Sequence, residues 1–245
     1  MNLEIEYLTY RKVKQLMESG YRRLIIPIGA LEPHGPHLPL GTDNLIPLSL
    51  AREVAPEIKA LIAPPIHYGV TNSLVGYAGS SRVDPETLKL FLIDIIKGFR
   101  LSGFKTFIIM NGHGGNIIPI KEALAKLWTE DAIRSIAVHW WIEVEGIKQE
   151  VFGEAGGHAG IDETAMIIAT YPDIVERPPE DELKNEIIVL SRGYETYPSA
   201  GTIILYKADE GSPKYNAEFA KRFYDRVVAH IKKLLISLIN RIERR

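Results

Sequence analysis

The stretch Thr106 to Thr129, TFIIMNGHGGNIIPIKEALAKLWT, carries the logic of the whole chain in miniature. Thr106 to Met110 is a short apolar β-type run, and from Ile118 to Thr129 the apolar positions recur at helical spacing. Between them lies a glycine-rich turn, Asn111-Gly-His113-Gly114-Gly115-Asn116. Strand, tight turn and helix in that order form the repeating unit of an α/β fold.

The same alternation extends outward in both directions. Further β-type runs occur at Leu24 to Ile28, Ala60 to Ile66, Arg134 to Trp140 and Thr202 to Tyr206. Helical patterns cover Tyr10 to Glu18, Asn44 to Ala55, Asp162 to Thr170 and the long run from Pro213 to Arg241. The clearest helix starts at Asp84-Pro85, an N-cap carboxylate followed by a residue whose φ is already helical. Its apolar face is Leu88, Phe91, Leu92, Ile95 and Ile96, and Ser102-Gly103 ends it. This pattern predicts an α/β fold with a mostly parallel central sheet covered by helices on both faces. Glu176 to Asn185 reads as an exposed loop, so residues 1–245 are expected to form one domain.

Composition narrows the chemistry. With 29 basic and 31 acidic residues mixed along 245 positions there is no basic face for nucleic acid. Cysteine is absent, which excludes disulfides, thiolate ligands and a cysteine nucleophile, and leaves imidazole and carboxylate to hold any metal. The start MNLEIEYLTYRKVKQ has no apolar leader, and no apolar run approaches the ~18 residues of a membrane span. A cytoplasmic protein is expected.

Three polar clusters fall where open α/β sheets bind ligands, at the carboxyl ends of strands. After the first strand comes Glu32-Pro-His34-Gly-Pro-His37, with Asp43 beyond it at the start of the next helix. Glu32 and His34 are two residues apart and point the same way in extended chain. Asp43 can return to the same point across the tight loop, unless it merely caps its helix. His37 sits in the bend and is read as a brace that hydrogen-bonds the loop. In the second cluster His113 reads as a ligand, Asn111 as its support, and Gly114, Gly115 and Asn116 as a floor for substrate. That loop could alternatively cradle phosphate with backbone N–H groups, although it lacks P-loop spacing. In the third, Gly156-Gly-His158-Ala-Gly-Ile-Asp162-Glu163-Thr164, His158 reads as a proton shuttle. Glu163 is either a further metal ligand or the partner that orients His158, while Asp162 suits a helix N-terminus.

On these three segments the sequence resembles the creatininase family of metal-dependent amidohydrolases. The matching elements are Glu32-Pro-His34-Gly-Pro-His37-Leu-Pro-Leu-Gly-Thr-Asp43, the N-G-H-x-x-N segment from Asn111 to Asn116, and His158-Ala-Gly-x-x-Glu163-Thr. The resemblance implies a three-layer α/β/α sandwich, two divalent ions per subunit (zinc, manganese or iron) and hydrolysis of a non-peptide carbon–nitrogen bond by metal-activated water. It also implies a homo-oligomer, dimer or hexamer, acting on a small-molecule amide. Glu32 and His113 would hold one ion and His34 the other, with Asp43 bridging and His158 as acid/base.

The chain departs from creatininase itself at three places. Gly114 and Gly115 stand where that enzyme has a tyrosine and a metal-binding glutamate, so Glu163 or water would complete the second ion's shell. Gly153-Glu154-Ala155 replaces a region with tryptophan. Leu74 stands where many members place a histidine before a turn, here containing Tyr77 and Ser80, which are candidate substrate contacts. These changes turn the expectation away from creatinine. The N-G-H-G-G-N form looks like the archaeal branch that deformylates 2-amino-5-formylamino-6-ribosylaminopyrimidin-4(3H)-one 5'-monophosphate. Other cyclic amides or peptides are the alternatives within the family. Outside it stand a non-catalytic nucleotide- or phosphate-binding protein and a protein with a purely structural metal.

Overall fold

The computed structural model describes residues 1–179 and 211–244. Four strands, β1 (Arg23–Ile28), β2 (Ala60–Ile62), β3 (Thr106–Asn111) and β4 (Arg134–His139), form a fully parallel sheet of order β2-β1-β3-β4. The first connection leads from β1 to β2 on one side, and the chain then crosses to β3 on the other side of β1. The sheet therefore has its topological switch point between β1 and β3, where Arg23 to Ile28 runs in register with Thr106 to Asn111.

Helix α1 (Tyr10–Glu18) precedes β1, and α2 (Thr42–Val54) connects β1 to β2. Helices α3 (Pro85–Leu101) and α4 (Ile117–Asp131) pack together, and right-handed crossovers place them on the face opposite α2. After β4 come the short α5 (Trp140–Glu143), α6 (Glu145–Phe152) and α7 (Ile161–Thr170). Helix α8 (Ala217–Ile242) packs on α7, α6 and α2. The result is the expected α/β layering around a core of strand residues Leu24, Ile25, Ile26, Phe107, Ile108 and Ile109, each essentially inaccessible.

Local chemistry accounts for the element ends. Asp84 accepts hydrogen bonds from the Glu86 and Thr87 amides, with Pro85 in the first turn, so α3 begins where the N-cap signal stands. The expected strand Ala60 to Ile66 stops at Ile62, because Pro64 and Pro65 have no N–H for a ladder. Pro27 is tolerated inside β1 because its carbonyl faces the β2 side, where only the Ile66 amide meets it. Helix α8 starts later than the pattern predicts, at Ala217, where Asn216 caps the Phe219 amide. Helices α5 and α6 escaped the sequence reading, which ran the strand from Arg134 on to Trp140. The expected strand Thr202 to Tyr206 and the end of the Glu176 to Asn185 loop lie outside the described residues.

Candidate metal centre at the switch point

Beyond β1 and β3 the chain brings α2 down end-on over the gap between the two strands. Pro47 lies four residues after Asp43 in α2, so the Asp43 carbonyl has no helical N–H to receive. Gly29, just past β1, and Gly112, just past β3, lie against that carbonyl. A Cβ on either would stand 2.2 Å and 2.0 Å from the Asp43 oxygen, so neither position admits a side chain. The first turn of α2 is thereby seated in the crevice, with Asp43 only 2 % exposed.

Around Asp43 the sequence-predicted ligands converge. His34 Nε2 lies 3.0 Å from Asp43 Oδ1 and 3.7 Å from Glu163 Oε2. On the opposite side His113 Nδ1 lies 2.8 Å from Asp43 Oδ2 and 3.2 Å from Glu32 Oε1. One carboxylate thus faces two imidazoles with its two oxygens, and a second carboxylate flanks each imidazole. Glu32, Asp43 and His113 form one potential ligand set and His34, Asp43 and Glu163 another, sharing Asp43.

Backbone carbonyls decide which nitrogen each ring presents. His34 Nδ1–H donates to the Glu32 carbonyl at 3.0 Å, and His113 Nε2–H donates to the Val70 carbonyl at 2.9 Å. A carbonyl can only accept, so in each neutral ring the lone pair points at the carboxylates. Two lone pairs facing carboxylates repel unless positive charge lies between them. This donor set, imidazole nitrogen and carboxylate oxygen with rings oriented by outer partners, suits zinc or manganese.

The electrostatics express the same demand for positive charge. Burial opposes a charged His34, but Asp43, Glu163 and Glu32 outweigh it and raise its pKa to about 10. His113 is likewise raised by Asp43 and Glu32 against its burial. For Asp43 burial favours the neutral acid, and the two imidazoles reverse this, holding it well below the usual carboxylate range. Burial pushes Glu163 up to about 8, with His34 opposing and Asp43 adding. A divalent ion at each shared set would supply the charge that protons otherwise must.

His158 lies against this cluster, its ring centroid 4.4 Å from that of His34. Its Nε2–H donates to the Pro33 carbonyl at 2.8 Å, which leaves Nδ1 with the lone pair, 3.8 Å from Glu32 Oε1. Burial, reinforced by the charge on His34, lowers its pKa to about 4, so the ring is neutral near pH 7. Glu163 does not orient His158 through a direct bond; its Oε2 accepts from the Ala159 amide at 2.7 Å while facing His34. Asp162 accepts from the Gly157 amide at 3.1 Å, so both acids of α7 hold the loop that leads into it.

The remaining candidates divide. His37 Nε2 meets Thr164 Oγ1 at 3.0 Å and pins the first loop to α7, as a brace should. Asn111 holds His113 by both of its backbone groups, accepting from N at 3.1 Å and donating to O at 2.8 Å. Gly114 and Gly115 line the cavity, but Asn116 does not serve as its floor. Asn116 is buried, accepts from the Val70 amide at 2.9 Å and donates to the Gly29 carbonyl at 2.9 Å, tying three loops together. Tyr77 and Ser80 do not line the cavity either; Tyr77 is exposed and Ser80 Oγ reaches toward the Leu31 carbonyl. The phosphate-cradle reading of the second loop also loses ground, since the Gly112, His113 and Asn116 amides all donate internally.

The cavity over the cluster measures about 580 Å³. Its lining includes residues the motifs do not mark: Trp141, Glu145 and Lys148 of α5 and α6, with Ser73 from the loop before α3. Lys148 is the notable omission. It is 4 % exposed and its Nζ lies 3.4 Å from Asp162 Oδ2 and 2.5 Å from Glu145 Oε2. In sequence the Glu145/Lys148 spacing is that of an ordinary surface pair on a helix, and nothing local distinguishes it.

Against known proteins, the profile of the family described as "Creatininase: Creatinine amidohydrolase" matches residues 6–235. The chain belongs to the creatininase family. It is 27 % identical to the creatinine amidohydrolase of Pseudomonas putida over 69 % of this chain and 72 % of that one. It is 30 % identical to a mycofactocin precursor peptide peptidase of Mycobacterium ulcerans over 65 % of this chain and 62 % of the peptidase. Half of the chain, 50 %, also matches at 31 % identity the 2-amino-5-formylamino-6-ribosylaminopyrimidin-4(3H)-one 5'-monophosphate deformylase of Methanosphaera stadtmanae, over 52 % of that enzyme. A solved creatininase mutant of Zn-Zn type superposes with a TM-score of 0.79, covering 96 % of this chain and 97 % of its own, at 24 % identity. The creatininase fold is therefore that of this protein, and its family membership makes it an amidohydrolase. Among the described residues no helix is long and apolar enough to cross a membrane.

Proposed function

We propose that this creatininase-family protein hydrolyses a small non-peptide amide, with a formamide on a phosphate-bearing pyrimidine as the leading substrate. The observation that carries the reading is Asp43 held between His34 and His113, with Glu32 and Glu163 flanking, on the floor of an open cavity that His158 overlooks. A site whose side chains all served a structural ion would not need that cavity or the adjacent neutral histidine.

In this reading Glu32, Asp43 and His113 hold one divalent ion, and His34, Asp43 and Glu163 hold a second. Glu163 takes the part that a glutamate in the second loop plays in creatininase. When bound, the ions supply Lewis acidity and lower the pKa of water toward neutrality. Asp43 would be shared by the two sets, since its two oxygens face the two imidazoles. His158 accepts a proton at Nδ1 and delivers it to the departing nitrogen, its ring held by the Pro33 carbonyl. Asn111, Asn116 and His37 keep the three loops in place. Gly114, where an added Cβ would meet nothing within 4 Å, leaves its part of the cavity lining without a side chain, which suits a substrate bulkier than creatinine. The family profile spanning residues 6–235 supports one creatininase-like domain, and the expected homo-oligomer and cytoplasmic location belong to the same proposal.

The identity to the mycofactocin precursor peptidase favours a second reading, a peptide substrate. Metal analysis followed by a hydrolysis screen over formylamino-pyrimidine nucleotide, creatinine and short peptides separates the two. Chelator-sensitive release of formate from the nucleotide, restored by zinc or manganese, is the expected result. Cleavage of peptides alone would replace the first reading by the second, and hydrolysis of no amide by metal-loaded protein would overturn both.

A further inference from the structure

The lining of the cavity contains a charge that the hydrolytic machinery does not use. Among the described residues lining it Lys148 is the only lysine or arginine, and its side chain is 5 % exposed. Enclosing an ammonium is costly unless it is paired, and here Asp162, 2 % exposed by side chain, is the buried counter-ion on α7. The second partner differs in kind. Glu145 is a neighbour on the same helix with its side chain 55 % exposed, so its carboxylate can turn to water where that of Asp162 cannot. An ammonium has three donors, so Lys148 can keep Asp162 while exchanging the solvent-facing carboxylate for another anion.

We propose that Lys148 is the specificity-determining residue of this cavity, taking the carboxylate or phosphate of an anionic amide substrate in place of Glu145. The inference rests on the amidohydrolase reading and adds the charge of the substrate to it. Glu32, Asp43 and Glu163 line the same cavity at the hydrolytic centre, and their negative charge repels a second anionic group there. Among the described lining residues Lys148 is the cation that can receive an anionic tail, and a lysine ammonium serves as a point-charge binder for either anion.

Paired substrates test this. Formylamino-pyrimidine ribonucleotide is compared with its dephosphorylated ribonucleoside, and N-formylglycine with N-formylglycinamide, using metal-loaded protein of matched metal content. In Lys148→Met the ratio of kcat/KM for the anionic over the neutral member should fall by about 10- to 100-fold, through KM, as expected for a lost hydrogen bond to a charged group. In Glu145→Gln, which removes the competing carboxylate at an exposed position, the same ratio should rise. The pair that responds identifies the anion as phosphate or carboxylate. Equal efficiency on both members of each pair in the unaltered protein, or equal losses on both in Lys148→Met, overturns the inference and leaves the amidohydrolase reading standing. Should Lys148→Met not fold, an unchanged ratio in Glu145→Gln overturns it instead. Turnover of no amide at all overturns the underlying reading and this inference together.

Discussion

At the carboxyl ends of β1 and β3, three buried carboxylates and two imidazoles converge, with Asp43 at their centre. At the amino ends of the same strands, Arg23, Thr106 and Arg134 stand side by side in register, next to Arg22, Lys105 and the single carboxylate of Glu243. There Glu243 receives Arg23 at 2.5 Å and Thr106 Oγ1 at 2.8 Å, and Arg134 donates to the Ile242 carbonyl, which fastens the end of α8 to the sheet. Both ends gather charge, yet only one withdraws it from water. The Arg23 and Glu243 side chains keep 24 % and 31 % of their exposure, so solvent screens their attraction. At the other end each charge must be answered by a neighbour or an ion, and every partner is consequential.

The largest effect should come from neutralising the shared carboxylate. Asp43→Asn keeps the side-chain shape but removes one charge from both ligand sets, so bound metal should drop and amide hydrolysis fall to background. Retained metal and activity would place the centre elsewhere. His158→Ala should lower kcat by about 10²- to 10⁴-fold while metal content stays unchanged. Loss of metal in that variant would make His158 a ligand. Asn111→Ala, which frees the backbone that positions His113, should weaken metal affinity by about 10- to 100-fold, read by competition with a chelator.

The smallest effect lies at the opposite end. Arg23 holds the Glu243 carboxyl below its ordinary pKa, burial opposing, so this pair stabilises the fold above the usual glutamate range and loses that contribution as pH falls through the lowered value. Glu243→Gln should therefore cost about 0.2–1 kcal/mol at pH 7, with the difference from the unaltered protein closing on acidification below about pH 4. A loss at neutral pH as severe as that of the buried cluster would erase the contrast between the two ends.

Legibility in the sequence follows the same division between local and distant causes. Asp84-Pro85 and the apolar run into β3 act within a few residues, and the structure places their elements where the pattern puts them. Glu163 reads as a ligand or as the partner of His158, and its Oε2 faces His34 while accepting from the Ala159 amide, a contact set by the fold of the loop before α7. Asn116 looked like cavity floor because its glycine neighbours are; its partners, Val70 and Gly29, come from other loops. Tyr77 and Ser80 were carried by a turn whose path no local rule determines. Lys148 was invisible for a related reason: its burial depends on α6 folding against Asp162 of α7, while its spacing from Glu145 imitates a solvent-facing pair.

The seating of α2 on Gly29 and Gly112 divides the cavity into a half that can be redesigned and a half that cannot. Beneath Asp43 the material is main chain pressed on main chain, and no substitution can add a functional group there without expelling the helix. The wall formed by Trp141, Glu145 and Lys148 is built of side chains on α5 and α6, outside the strands. An engineer seeking a new substrate for this scaffold would leave the hydrolytic floor as a finished part and treat those two short helices as the interchangeable one.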